Sequence, residues 1–259
     1  MTQEERLSWL IEYLKNENAD LNQIEMPEGE AEQKRLLRAL MNIRPPKAIA
    51  KDFLDIQDEY LQEERRKKHI VFLSGLSHVQ KGIILWQGDI TALRADGIVN
   101  AANSALLGCF VPCHGCIDNA IHSAAGVQLR LECFRIMEKQ KAAEPAGKAK
   151  ITQAYNLPCR YVLHTVGPVI RGRVTERDCD LLASCYRSCL ELAAAYGLKS
   201  LAFCCIATGE FRFPNEKAAE IAVRTVKEYQ RENHGGLEVV FNVFKDKDYE
   251  IYRRLLSAN

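Results

Sequence analysis

An α/β domain behind a short all-helical segment is the fold class that this sequence predicts, on three observations. Residues 1–68 carry helical periodicity without strand signals. From His69 onward, apolar and β-branched segments alternate with helical ones, the pattern of a sheet covered by helices. The chain has 259 residues, 47% of them hydrophobic, which is enough for one domain of ordinary size with its own core plus an appendage.

The first helix is marked by Leu7, Leu10, Ile11 and Leu14 at i, i+3, i+4 and i+7, which places them on one face. A second carries Leu36, Leu37, Leu40 and Met41, and Pro45 with Pro46 stops it, because proline has no amide hydrogen to continue the ladder. A third carries Phe53, Ile56, Tyr60 and Leu61 and ends in EERRKKH. The glutamates interleaved in that run make it a solvated helix end rather than a nucleic-acid patch. Strands are expected at 69–73, 83–87, 97–100, 161–166, 201–206 and 238–244. Helices should follow Ile117, Asp178, Asn215 and Asp246, the last with Tyr249, Tyr252, Leu255 and Leu256 on its buried side. The expected division is a helical extension over 1–68 and an α/β domain over 69–259. Two loops, 103–116 and 208–214, leave apolar strands and enter helices. Ligands of open α/β sheets gather at such strand ends, where helix N-termini offer unpaired N–H groups.

Composition narrows the function classes. Lys and Arg total 35 against 34 for Asp and Glu, so there is no positive field of the kind that nucleic acid needs. The amino terminus, MTQEERLSWL, is charged at once and lacks the apolar run of a signal peptide or membrane span, so a soluble, cytoplasmic protein is expected. Of ten cysteines, Cys133, Cys159, Cys179, Cys185, Cys189, Cys204 and Cys205 lie mostly in apolar stretches and read as small buried hydrophobes.

The exception is GCFVPCHGC, residues 108–116. Cys109, His114 and Cys116 combine two thiolates and an imidazole, donors that suit zinc, and three protein ligands leave one position for water or substrate. Spacing alone leaves other readings open: reduced core cysteines with a surface histidine, a Cys113–Cys116 redox pair, or a four-ligand structural site that uses Cys113. Asp118 and His122 follow, four residues apart on one face of the next helix. Asp118 suits the first turn as a cap, and His122 reads as a packing residue. Asn100 and Asn103 offer amides able to donate and accept, although asparagine at a strand end is also ordinary turn chemistry. Asp89 reads as a cap after a strand. The 207–213 loop, with Thr208, Gly209, Glu210 and Phe211, reads as a diphosphate cradle built from backbone N–H groups. Phe244 is an aromatic for a ligand ring or for the core.

Five segments in order resemble the macrodomains, which bind ADP-ribose: GDIT (88–91), GIVNAANSALLG (97–108), IDNAIHSAAG (117–126), VLHTVGP (162–168) and IATGEFRFPNEKAAEIA (206–222). The resemblance implies a three-layer α/β/α macrodomain with a mixed central sheet. The glycine-rich loop of many hydrolytic relatives is replaced here by GCFVPCHGC, which is similar to the zinc-containing branch described as removing mono-ADP-ribose from proteins. That similarity implies Zn2+ held by Cys109, His114 and Cys116, with Cys113 outside the set. It implies Asp118 activating water or orienting the distal ribose, and Asn100 and Asn103 reaching that ribose. It also implies Asp89 at the adenine amino group with the backbone of Ile90 alongside. A mono-ADP-ribosylated protein is the implied substrate, and a lipoyl-carrier protein is an implied partner. The alternatives are an ADP-ribose reader without catalysis and an O-acetyl-ADP-ribose deacetylase. Two positions depart from the family's loop pattern: Glu210 is acidic, and Arg212 stands where glycine is frequent.

Overall fold

Thr2 starts the first helix by accepting the Glu5 N–H on its side chain while the Glu5 carboxylate returns to the Thr2 N–H, a reciprocal capping box. In the computed structural model, which describes residues 1–233 and 236–257, three helices precede any strand: α1 (Gln3–Asn16), α2 (Glu30–Ile43) and α3 (Lys51–Lys67). Their apolar faces meet in a cluster around Leu10, Ile11, Leu37, Leu40 and Phe53, to which Val127 of the following domain contributes. Burying each such side chain contributes roughly 1.5–3 kcal/mol, which holds three otherwise polar helices together.

The remaining elements are β1 (Val71–Phe72), β2 (His78–Gln80), β3 (Ile83–Gln87), β4 (Leu93–Arg94), β5 (Gly97–Ala101), α4 (Ile117–Ala125), α5 (Val127–Gln140), β6 (Ala149–Gln153), β7 (Tyr161–Thr165), α6 (Glu176–Ala195), β8 (Ser200–Phe203), α7 (Asn215–Glu232), β9 (Glu238–Val243) and α8 (Asp246–Ser257). The main sheet has the order β2-β3-β9-β8-β5-β7-β6. Its inner strands β3, β9, β8, β5 and β7 are mutually parallel, and β2 and β6 close the edges antiparallel, so the sheet is mixed as expected. Successive residues of β5, β7, β8 and β9 are buried. Side chains alternate faces along a strand, so helices must cover both sides of this sheet. Within those layers α6 packs on α7 and α7 on α8, while α4 contacts β5 and α5 contacts β6.

Some boundaries differ from expectation, each for a physical reason. The segment expected as a strand over 69–73 extends only at Val71–Phe72 and pairs with β4 outside the main sheet. The 201–206 strand ends at Phe203, and the chain turns into the loop that precedes α7. The helix after Ile117 breaks in two at Gly126, whose φ of 100° only glycine tolerates and where a Cβ would meet the Gln57 amide at 2.6 Å. The helix expected after Asp178 begins at Glu176, because Asp178 serves in a capping box with Thr175. Tyr252 and Leu256 of α8 are buried as expected, and Tyr249 and Leu255 pack partly against the core. Residues 258–259 of the expected domain lie outside the described residues. Among the described residues no helix is long and apolar enough to cross a membrane.

Candidate active site

Five parallel strands bring their carboxyl ends to one edge of the sheet, and the candidate ligand-binding residues lie at or just beyond those ends. Asp89 and Ile90 come after β3, Phe244 after β9, the 207–213 loop after β8, and Asn103 with the cysteine-rich loop after β5, whose penultimate residue is Asn100. The carboxyl edge is where ligands of parallel sheets bind.

At the β5 end a buried carboxylate is gripped by two amides. Asp118 lies in the first turn of α4, where the helix dipole favours an anion. Asn100 Nδ2 donates to its Oδ1 at 2.8 Å, and Asn103 Nδ2 donates to its Oδ2 at 3.3 Å and to Gly108 O at 3.1 Å. The second N–H of Asn100 faces His164 Nδ1 at 3.2 Å. His164 Nδ1 must then accept, so the proton sits on Nε2, which is 2.9 Å from Thr152 Oγ1. Asn100 is fully buried with both N–H groups committed inside the protein, and Oδ1 is its one free hydrogen-bonding atom. Burial pushes the Asp118 carboxyl up to about 6, against the opposing hydrogen bond from Asn100, the charge of Arg130 and the hydrogen bond from Asn103. His122 lies 3.5 Å from Asp118 Oδ1, and burial keeps its ring well below the ordinary histidine value. It is neutral, walled in, and packs against Gly108, where a Cβ would meet its ring at 2.8 Å.

The loop before α4 gathers the three donors. Cys109 Sγ and His114 Nδ1 stand 3.6 Å apart, and those two atoms and a Cys116 ligand atom all lie within 4.8 Å of one another. Zn–S and Zn–N bonds of tetrahedral geometry place a sulfur and a nitrogen ligand about 3.5 Å apart, close to the Cys109–His114 separation. Cys113 lies outside the set: at φ 53° it turns its thiol to Arg35 O at 3.3 Å. Burial holds the Cys116 thiol up at about 11. A bound dication reverses that, since a coordinating thiol is deprotonated outright.

The 207–213 loop runs beside this cluster. Arg212 N–H closes a turn onto Gly209 O at 2.9 Å, with Glu210 and Phe211 at its corners and Thr208 ahead of it. Arg212 stands at φ 58° and Ala207 at 64°, so the glycine frequent at position 212 is the residue the backbone favours. Glu210 turns its carboxylate to within 3.6 Å of His114 Nε2, toward the Cys109–His114–Cys116 cluster. Gly167 of the VGP segment approaches Ala207 so closely that a Cβ would lie 2.8 Å from its Cβ.

At the other end of the edge, Asp89 accepts from Thr91 N–H at 2.9 Å and from Thr91 Oγ1 at 2.7 Å, and faces Lys68 at 3.3 Å. Burial alone would raise its pKa, but the Thr91 hydrogen bonds and the Lys68 charge outweigh it and hold the carboxylate below its ordinary range. Ile90 is buried behind it. Phe244 is 75% exposed, so it is not a core aromatic, and Gln87 at the end of β3 donates to its carbonyl. Sequence reasoning missed His164, Arg130 and Arg38. The histidine was visible in VLHTVGP, but nothing local marks the arginines.

The Macro domain family model matches residues 99–222. A Treponema medium protein named protein-ADP-ribose hydrolase is 56% identical over 99% of this chain and 100% of its own length. A Staphylococcus aureus (strain MSSA476) protein of the same name is 48% identical over 98% and 96%. Among solved structures, the Trypanosoma brucei macrodomain in complex with ADP-ribose superposes with a TM-score of 0.67 at 32% identity, covering 84% of this chain and 94% of that one. The Oceanobacillus iheyensis macrodomain with ADP gives 0.63 at 37% identity, covering 70% and 93%. With a relative this similar along its whole length, and with the matched motifs meeting at one sheet edge, the chain belongs to the macrodomain family.

Proposed function

We propose that this protein is a zinc-dependent hydrolase that removes mono-ADP-ribose from modified proteins. The observation that carries the reading is the buried Asp118 carboxylate, held by Asn100 and Asn103 beside the Cys109–His114–Cys116 donor set. The names of the Treponema and Staphylococcus relatives support the substrate. The same reading treats residues 1–68 as an extension on a macrodomain of residues 69–259, working in the reducing cytoplasm, where thiol ligands survive.

In this reading Asp89 accepts from the adenine amino group with the Ile90 backbone alongside, and the exposed Phe244 ring stacks on the base. Thr208, Gly209, Glu210 and Phe211 supply the turn whose backbone surrounds the diphosphate. Asn103 orients the distal ribose, and the buried Asn100 acts behind it by holding Asp118. Cys109, His114 and Cys116 hold zinc, which when bound supplies a Lewis acid for a ribose oxygen or a water. Asp118 takes the proton from the attacking water as the bond between the distal ribose and the modified side chain breaks, and the departing side chain leaves with a proton. Its pKa of about 6 leaves it ionised at neutral pH yet close enough to that pH to act as a base. A modified lipoyl-carrier protein is the partner to try first.

The test is ADP-ribose release from an auto-modified transferase, run beside elemental analysis of the purified protein. Asp118→Asn should lose turnover by about 10²- to 10⁴-fold while ADP-ribose affinity, read by calorimetry, changes little. Tight ADP-ribose binding without release would instead mark a reader, and turnover confined to O-acetyl-ADP-ribose would mark a deacetylase. Full turnover in a zinc-free Cys109→Ser protein would sink the zinc part alone.

A further inference from the structure

We infer that the N-terminal extension is the frame of the metal-binding loop, and that Arg38 of α2 is its principal positioning residue. The inference rests on the zinc reading above. Residues 104–116 contain no helix or strand, so their backbone groups must find partners elsewhere.

Two of those partners come from the extension. Arg38 Nη2 donates to His114 O at 3.1 Å, and the same guanidinium clasps Asn119 Oδ1 through Nε at 3.1 Å and Nη2 at 2.7 Å. Asn119 in turn donates from Nδ2 to Val111 O at 3.0 Å and from its backbone to Cys116 Sγ at 3.4 Å. One side chain thus ties two of the three donor residues to a helix far away in sequence. Asn42, also on α2, accepts the Cys113 N–H at 2.9 Å.

The frame is itself anchored to the domain. Arg130 of α5 donates to Leu107 O at 2.7 Å and also to the carbonyls of Met41, Asn42 and Arg44, at 3.1, 2.7 and 2.5 Å. Those carbonyls end α2, where the helix dipole favours a cation. Arg130 stays charged at neutral pH although burial lowers it to about 10. The loop is therefore held between two arginines. A planar guanidinium suits this work because its N–H fork reaches two acceptors at once, which an ammonium cannot copy in the same geometry. A loop already held in part before the metal arrives gains affinity, because less ordering has to accompany binding.

The test measures zinc affinity in the full-length protein by competition with a chromophoric chelator, independently of turnover. Arg38→Ala should weaken zinc binding about 10- to 100-fold, the effect usual for partners that orient metal ligands, and Arg38→Lys should recover part of it. The control is Leu36→Ala, which trims a half-buried α2 residue packed in the helical cluster. It should lower the melting temperature while leaving zinc affinity at the parental value. Unchanged zinc affinity in Arg38→Ala overturns the inference, as does equal weakening in Leu36→Ala, which would reduce the effect to general destabilisation. If the parent protein binds no zinc, the zinc reading itself fails and this inference falls with it.

Discussion

Asparagine suits position 100 because one amide nitrogen can donate twice, here to Asp118 and to the neutral His164. Asn100→Ala leaves two buried acceptors without their donor, and should cost about 2 kcal/mol or more of stability in urea unfolding. Turnover should fall with it, because Asp118 keeps only the longer contact from Asn103. Parental stability in that variant would mean that the amide does not hold the carboxylate. Glu210 shows how a residue's meaning depends on direction. As an acidic residue in a diphosphate loop it looks repulsive, yet at a turn corner it faces His114.

At the scale of elements, the cysteine-rich loop and α4 form one structure, since Cys116 both belongs to the donor set and caps the helix by accepting the Asn119 N–H. On the zinc reading proposed above, a chelator should therefore loosen the loop and the first turn of α4 together. Limited proteolysis with mass spectrometry should find new cleavage within 104–122 in the chelated protein and protection on zinc return. An identical pattern in both states would mean that the loop is held by its protein contacts alone. The helices of the extension were legible from periodicity because their apolar faces are continuous. Edge strands β2 and β6 were not, because exposed and polar residues such as His78, Gln80, Lys150 and Gln153 carry no apolar run. The break at Gly126 was signalled by glycine itself, but a glycine alone does not say that a new helix begins one residue later.

For the whole molecule, buried titrating groups make stability depend on pH. Burial holds His164 at about 3 and drives His122 in the same direction, while the unfolded chain takes up those protons near 6.5. Their contribution is fully present above that value and is lost as pH falls. Between pH 7 and 5 His164 alone forfeits about 2 kcal/mol. Asp118 works oppositely, since its folded value near 6 exceeds the ordinary 3.8, and it returns about 1 kcal/mol over the same interval. The net expectation is a lower urea midpoint at pH 5 than at pH 7, measured on metal-free protein so that protons do not compete with zinc for the thiolates. A midpoint that holds or rises would contradict the buried, neutral histidines.

Local pattern was enough to mark the helices of residues 1–68, the central strands and the strand ends that the singled-out loops follow, because periodicity is written within a few residues, whereas the choice of Cys109, His114 and Cys116 over Cys113 came from the family resemblance. Tertiary structure alone decided that Asn100 turns inward to Asp118, that Phe244 is exposed, and that Arg38 of α2 reaches His114 and Asn119 at the cysteine-rich loop. Those contacts join residues 18, 64, 76 and 81 positions apart, from Asn100–Asp118 and Asn100–His164 to Arg38–His114 and Arg38–Asn119. A hydrogen bond over such a separation leaves no period in the sequence, since its partners become neighbours only when the sheet and helices pack.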